Sequence, residues 1–114
     1  MEKIVKQTLL YDFYGELLTD HQRAIYEDVV FNDLSLSEVA EMQGISRQGV
    51  HDLIRRCDKI LAGYEDKLHL IARFHETRRS VEEMYQMVKQ YAESKDEALL
   101  SKITDLYHKV LEEI

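Results

Sequence analysis

Leu34-Ser35-Leu36-Ser37-Glu38-Val39-Ala40-Glu41-Met42-Gln43-Gly44-Ile45-Ser46-Arg47-Gln48-Gly49-Val50-His51-Asp52-Leu53-Ile54-Arg55-Arg56 decides the fold. Ser37 is placed to cap a short helix, Glu38 and Glu41 suit its positive end, and Gly44 supplies the left-handed residue that stops it. Ser46 caps again. From there Val50, Leu53, Ile54 and Cys57 recur at helical spacing, so the pattern predicts a second, longer helix. Two helices joined by so short a Gly-containing turn form a helix-turn-helix. Ala40 leaves room for close approach, and Ile45, Val50 and Leu53 are placed to close a small core beneath it. The opposite face carries Gln48, His51, Asp52, Arg55 and Lys59, with Arg47 and Arg56 on its flanks. Amide, imidazole and guanidinium groups on the first turns of an exposed helix are the groups that read base edges in a major groove.

Upstream, Ile4, Val5, Leu9, Leu10, Phe13, Tyr14, Leu17 and Leu18 predict a first helix over about Lys3 to Leu18. Thr19 and Gln22 form a capping-box pair for the next helix, with Ala24, Ile25, Val29 and Val30 or Phe31 facing inward. Downstream, the helix from Ser46 shows no stop for a long way. Gly63 is a candidate bend and Thr77 a candidate cap for a further helix. Along it Val50, Ile54, Cys57, Leu61, Tyr64, Leu68 and Ile71 alternate by four and three. Two partners fit this seam: the last two helices folded back, or a homodimer through Leu61, Tyr64, Leu68 and Ile71. Val81, Met84, Tyr85, Val88, Tyr91 and Ala92 form the next apolar side. Ser94 with Glu97 predicts another capping box. Leu99, Leu100, Ile103, Leu106, Tyr107, Val110, Leu111 and Ile114 form the last stripe, completing a C-terminal helical hairpin.

Separated motifs carry a resemblance. Asp12-Phe13-Tyr14, Leu17-Leu18-Thr19 with Gln22-Arg23, Asp33-Leu34-Ser35-Leu36, Ile45-Ser46-Arg47-Gln48, Val50, Asp52, Ile54-Arg55-Arg56 and Tyr64-Glu65-Asp66-Lys67-Leu68 resemble the YlxM-like family of small bacterial proteins. That family is similar to region 4 of bacterial sigma factors. The resemblance implies an all-α, sigma region 4-like helix-turn-helix whose long recognition helix extends into the C-terminal hairpin. Its genes tend to lie beside those of the signal recognition particle, which implies a role in that targeting pathway. The chain departs from the sigma pattern at Gln48-Gly49 and His51, where sigma helices carry further cations. It departs again at Gln43, an apolar position in that pattern, which Met42 is placed to fill instead.

The 114 residues suit one helical domain, with a core over 1–62 and an extension over 63–114. With 15 Lys+Arg against 22 Asp+Glu the net charge is −7, which opposes binding to phosphates except through a local patch. Residues 1–33 carry 3 positive and 7 negative side chains, 34–63 carry 4 and 4, and 64–114 carry 8 and 11. The central segment is thus the only one not acidic. Cys57 lies on an apolar side and reads as a buried thiol. The five His fall on no shared face that would hold a metal, and no phosphate loop, nucleophile signature or paired Cys occurs. We therefore expect no enzyme, no cofactor and no catalytic residue. No apolar run reaches the ~20 residues of a membrane span, so a cytoplasmic protein is expected.

These readings converge on a nucleic-acid-binding regulatory or accessory protein of the signal recognition particle pathway. Its target is DNA, the particle's RNA or a pathway protein. Phosphates would be held by Arg47, Arg55, Arg56 and Lys59, and bases probed by Gln48 and His51. The alternatives are a promoter-binding transcription regulator and a protein-interaction module that binds no nucleic acid.

Overall fold

A computed structural model of the chain describes residues 2–113. Six helices follow one another: α1 (Lys3–Tyr14), α2 (Asp20–Tyr26), α3 (Leu36–Gln43), α4 (Arg47–Leu68), α5 (Leu70–Ser94) and α6 (Ala98–Glu113). The described residues include no strand. The fold is therefore all-α, as the sequence pattern predicts. The chain divides into two compact units, the first ending at Ile71 and the second beginning at Ala72.

The first unit is built on one seam. Val50, Ile54, Cys57 and Leu61 of α4 are buried together with Leu10 and Tyr14 of α1, Ile25 and Tyr26 of α2, and Val39 and Ala40 of α3. Burying a large aliphatic side chain is worth about 1.5–3 kcal/mol, so α4 is held chiefly by this contact. Helix α1 is shorter than the sequence suggests. It gives way at Tyr14 to a 3-10 turn over Gly15–Leu17, where the Tyr11 ring closes on the backbone. A Cβ on Gly15 would lie 2.8 Å from that ring.

The Thr19 cap forms as expected, Gln22 N–H donating to Thr19 Oγ1 at 3.1 Å and Gln22 Oε1 accepting from Thr19 N–H at 3.0 Å. Beyond α2 the chain widens into a π-type turn over Glu27–Phe31, with Asn32 N–H donating to Glu27 O at 3.0 Å. This turn changes which residues face inward. Ala24 and Phe31 are exposed, Val29 and Val30 are half-buried, and Tyr26 is fully buried beside Ile25. Tyr26 can enter because its hydroxyl donates to Asp58 Oδ1 at 2.6 Å, and the same carboxylate accepts from Gln7 Nε2 at 3.1 and 3.2 Å. A buried polar tip is tolerable only when paired in this way.

The α4 helix passes through Gly63 unbroken and ends at Leu68, where His69 takes a left-handed conformation (φ 56°). Thr77 caps nothing and lies inside α5. The break has a long-range cause. Tyr14 OH donates to Glu65 Oε1 at 2.5 Å and accepts from Leu70 N–H at 3.2 Å, while Glu65 Oε1 accepts from Ile71 N–H at 3.0 Å. Two of the four amides left open at the start of α5 thereby find partners. Burial, then the Glu65 carboxylate, hold the Tyr14 hydroxyl above its ordinary pKa. The predicted seam is filled from inside the unit. Leu61 is fully buried, Tyr64 stacks on Tyr14 with ring centroids 6.0 Å apart, and Ile71 packs on the same core, leaving Leu68 exposed. Of the four positions expected to carry a homodimer, Leu61 is thus buried within the unit, Tyr64 and Ile71 are half-buried there, and Leu68 is exposed.

In the second unit α5 and α6 are joined by Lys95 to Glu97, with Lys95 left-handed (φ 59°). So short a link makes the helices antiparallel neighbours. The predicted Ser94–Glu97 capping box does not form. Ser94 Oγ accepts instead from Asp96 N–H at 3.3 Å, and Asp96 Oδ1 accepts from Ala98 N–H at 3.0 Å. The inner seam is narrow. On α5 the covered positions are Thr77, Ser80, Met84, Met87 and Tyr91, and on α6 Leu99, Ile103, Leu106, Val110 and Glu113. Val81, Tyr85 and Val88, grouped by the sequence with Met84, are exposed, as are Leu100, Tyr107 and Leu111. Two helices alone cover only one seam of each. Ile114 of the predicted stripe lies outside the described residues. No described helix is long and apolar enough to cross a membrane.

Glu65→Ala leaves the Tyr14 hydroxyl and the Ile71 amide without their carboxylate, and is expected to cost about 1–3 kcal/mol, read as a lower urea midpoint. An unchanged midpoint would remove Glu65 from the account of the break. Cys57 is fully buried and its thiol is pushed up to about 11, first by burial and then by Asp58. A thiol reagent at neutral pH should modify it only after denaturation. Because the unfolded thiol ionises from about 9 while the folded one stays protonated, stability should fall as pH rises from about 9 to about 11. Cys57→Ala should flatten that decline.

Candidate nucleic-acid interface

The α3–turn–α4 corner is set by local hydrogen bonds. Ser35, not Ser37, caps α3: Glu38 N–H donates to Ser35 Oγ at 3.0 Å and Ser35 N–H to Glu38 Oε1 at 3.3 Å. Ser37 lies inside the helix and is exposed. Gly44 ends α3 in the left-handed region (φ 67°, ψ 30°), where a Cβ would be strained. Ile45 N–H then donates to Ala40 O at 3.1 Å, and Gly49 N–H to Ser46 Oγ at 2.9 Å, capping α4. A Cβ on Gly49 would stand 3.1 Å from that hydroxyl and 3.9 Å from Ile45 Cδ1. The missing side chain at Gly49 therefore leaves room for the cap.

The wedge beneath the corner differs from the predicted one. Val50 is fully buried and Leu53 half-buried, but Ile45 is 39% exposed and fully buried Val39 takes its place. Met42 is 64% exposed and does not substitute for Gln43, which is half-buried. The left-handed turn explains this, because it carries Ile45 over Gly49 instead of under Ala40.

Arg47, Gln48, His51, Arg55, Arg56 and Lys59 are all exposed. They do not form one cluster. Asp52, Arg55, Arg56 and Lys59 line a shallow cleft of about 320 Å³, on the side of α4 turned away from the Val50–Leu61 seam. His51 and Arg55 also line a larger cavity of about 560 Å³, shared with Lys3, Gln7 and Asp58. Arg47 and Gln48 stand at the start of the helix, and Arg47 is roughly 18 Å along the axis from Lys59. Among the described residues, no ion pair engages Arg47, Arg55, Arg56 or Lys59.

Asp52 is the residue the sequence placed on this face without giving it a role. Its Oδ1 accepts from Gln48 Nε2 at 2.9 Å and lies 3.8 Å from His51 Nδ1. Both groups assigned to base edges thus meet the same carboxylate. The four-residue step from Gln48 to Asp52 was the available signal. Lys3, brought to the cavity rim by α1, had no such signal. Chemically the face offers three guanidinium or ammonium groups in one cleft with a carboxylate, and Arg47 with amide and imidazole groups toward the start of the helix.

A family model described as "Putative helix-turn-helix protein, YlxM / p13 like" matches residues 1–111. The chain is 47% identical over 81 residues to a UPF0122 protein of Caldanaerobacter subterraneus subsp. tengcongensis, covering 71% of this chain and 69% of that one. It is 39% identical over 107 residues to a UPF0122 protein of Thermoanaerobacter sp. (strain X514), covering 94% and 92%. Identity to a UPF0122 protein of Desulforamulus reducens is 36% over 112 residues, covering 98% and 96%. The last two matches cover nearly the whole of both chains. The chain belongs to the UPF0122 family of YlxM / p13-like helix-turn-helix proteins.

Proposed function

We propose that this protein is a non-catalytic regulatory or accessory factor that binds nucleic acid through the outward face of α4. Arg47, Arg55, Arg56 and Lys59 hold phosphates, and Gln48 and His51 meet base edges. One observation carries the reading. All four cations are exposed without an ion-pair partner among the described residues, on a helix whose opposite side is sealed in the core. Four unpaired cations on so acidic a chain are available to phosphates.

Asp52 tempers the face. It adds a negative charge among the phosphate-holding groups and engages both Gln48 and His51. We read it as a brake on non-specific binding, since like charge near the backbone lowers affinity for any sequence. The family resemblance implies the signal recognition particle as the setting, so the particle's RNA is the first ligand to test, with promoter DNA as the comparison.

Binding to that RNA should weaken steeply with added salt. Arg55→Ala with Arg56→Ala should reduce the slope of log K against log salt by about two, measured by fluorescence anisotropy. Affinity indifferent to salt and to both substitutions would overturn the reading. Asp52→Asn removes a charge while keeping an acceptor for Gln48, and should tighten binding by about fivefold at low salt. Weaker binding by this variant would show that the carboxylate helps recognition instead of restraining it.

A further inference from the structure

The second unit has two unlike sides. In an antiparallel pair, the residue one step after each inner position is turned by about 100° on its own helix. Because the helices run in opposite directions, both turns lead to the same side. On this side stand Val81, Tyr85 and Val88 of α5 with Leu100, Tyr107 and Leu111 of α6, each 44–57% exposed. The other side carries Glu76, Arg79 and Glu83 with Lys102 and Lys109, all exposed. A two-helix hairpin with one mainly apolar side is half of a four-helix bundle.

The charges bordering that side identify the other half. Along α5 the order is Arg78, Val81, Glu82, Tyr85, Val88, Lys89, Glu93, with charges reversed about Tyr85. The hairpin's own register puts Met84 level with Leu106 and Thr77 level with Glu113, the last two lining one cleft. Tyr85 and Asp105 therefore lie at the same height. A two-fold axis crossing both helices at that height, in the plane of the apolar side, lays α5 against α5 and α6 against α6, each antiparallel. To within one residue, Val81 then meets Val88 of the second copy, Leu100 meets Leu111, Glu82 meets Lys89 and Arg78 meets Glu93. An axis along the helices instead sets Lys89 opposite Ser101 and Glu82 opposite His108, and of these border charges pairs only Arg78 with a carboxylate, Glu112.

We propose that residues 72–113 form a homodimerisation module, two hairpins closing a four-helix bundle through Val81, Tyr85, Val88, Leu100, Tyr107 and Leu111. The occupant of the apolar side is a second copy because the pattern is complementary to itself, as an isologous interface requires. The six side chains span roughly 17 Å along the hairpin and two helices across, a small interface of the kind that forms reversibly. It is separate from Leu61, Tyr64 and Ile71, which the first unit uses internally. The module does not depend on nucleic-acid binding.

Sedimentation equilibrium of the full chain, over micromolar to sub-millimolar concentration, tests the proposal. A reversible dimer is expected. Val88→Asp, at a side chain already half exposed within one hairpin, should give monomers with unchanged helical circular dichroism. Glu82→Lys and Lys89→Glu should each weaken the dimer by about tenfold, since symmetry repeats every pair. Combined in one chain, they should restore it to within about threefold of the parent. A monomer at every concentration overturns the module, as does a dimer indifferent to Val88→Asp and to both charge reversals. Failure of the combined variant to recover overturns the proposed axis.

Discussion

One half of α4 is committed to the core, and the rest of the first unit follows from that. Val50, Ile54, Cys57 and Leu61 are removed from water by α1, α2 and α3 together. A helix fixed along one side cannot roll, so the side bearing Gln48, Asp52, Arg56 and Lys59 must face solvent. The Gly44 turn and the Ser46 cap choose where the helix begins. Asp58 and Glu65 fix it lengthwise, each carboxylate receiving a tyrosine hydroxyl from an earlier helix. Those two tyrosines are long enough to reach the core and polar enough to need these partners.

This arrangement divides the labour of charge within a chain of net charge −7. Carboxylates that would cancel the cations of α4 are either spent inside the unit, as Asp58 and Glu65 are, or placed on other elements. Asp52 is the exception, exposed on the same face and in contact with Gln48 and His51. The second unit uses charge differently. Its ionic groups border an apolar side in an order that suits the proposed antiparallel self-pairing.

The parts legible in sequence were those set by neighbours in the chain. The helix-turn-helix, the Thr19 and Ser46 caps, the burial of Cys57 and the exposure of the six face residues all follow from spacing within a few turns. The Ser35 cap was also written locally, since Glu38 stands three residues on, but Ser37 competed for the same role. What spacing could not disclose depended on distant partners. The apolar repeat runs on through Leu68 and Ile71, yet α4 ends because Tyr14, 51 residues before Glu65, takes that carboxylate. Tyr26 likewise enters the core only by virtue of Asp58, 32 residues later. In the hairpin, adjacent apolar pairs such as Met84-Tyr85 and Val110-Leu111 offer two seams, and only the turn at Lys95 decides which lies inside.

The central claim is that α4 presents its outward face to nucleic acid. Amide chemical-shift mapping of the isotope-labelled protein, titrated with the signal recognition particle RNA, tests it most directly. The account predicts shifts concentrated at Arg47, Gln48, His51, Asp52, Arg55, Arg56 and Lys59, with the buried seam and α6 little changed. Shifts confined to residues 72–113, or none on α4 at saturating RNA, would contradict it.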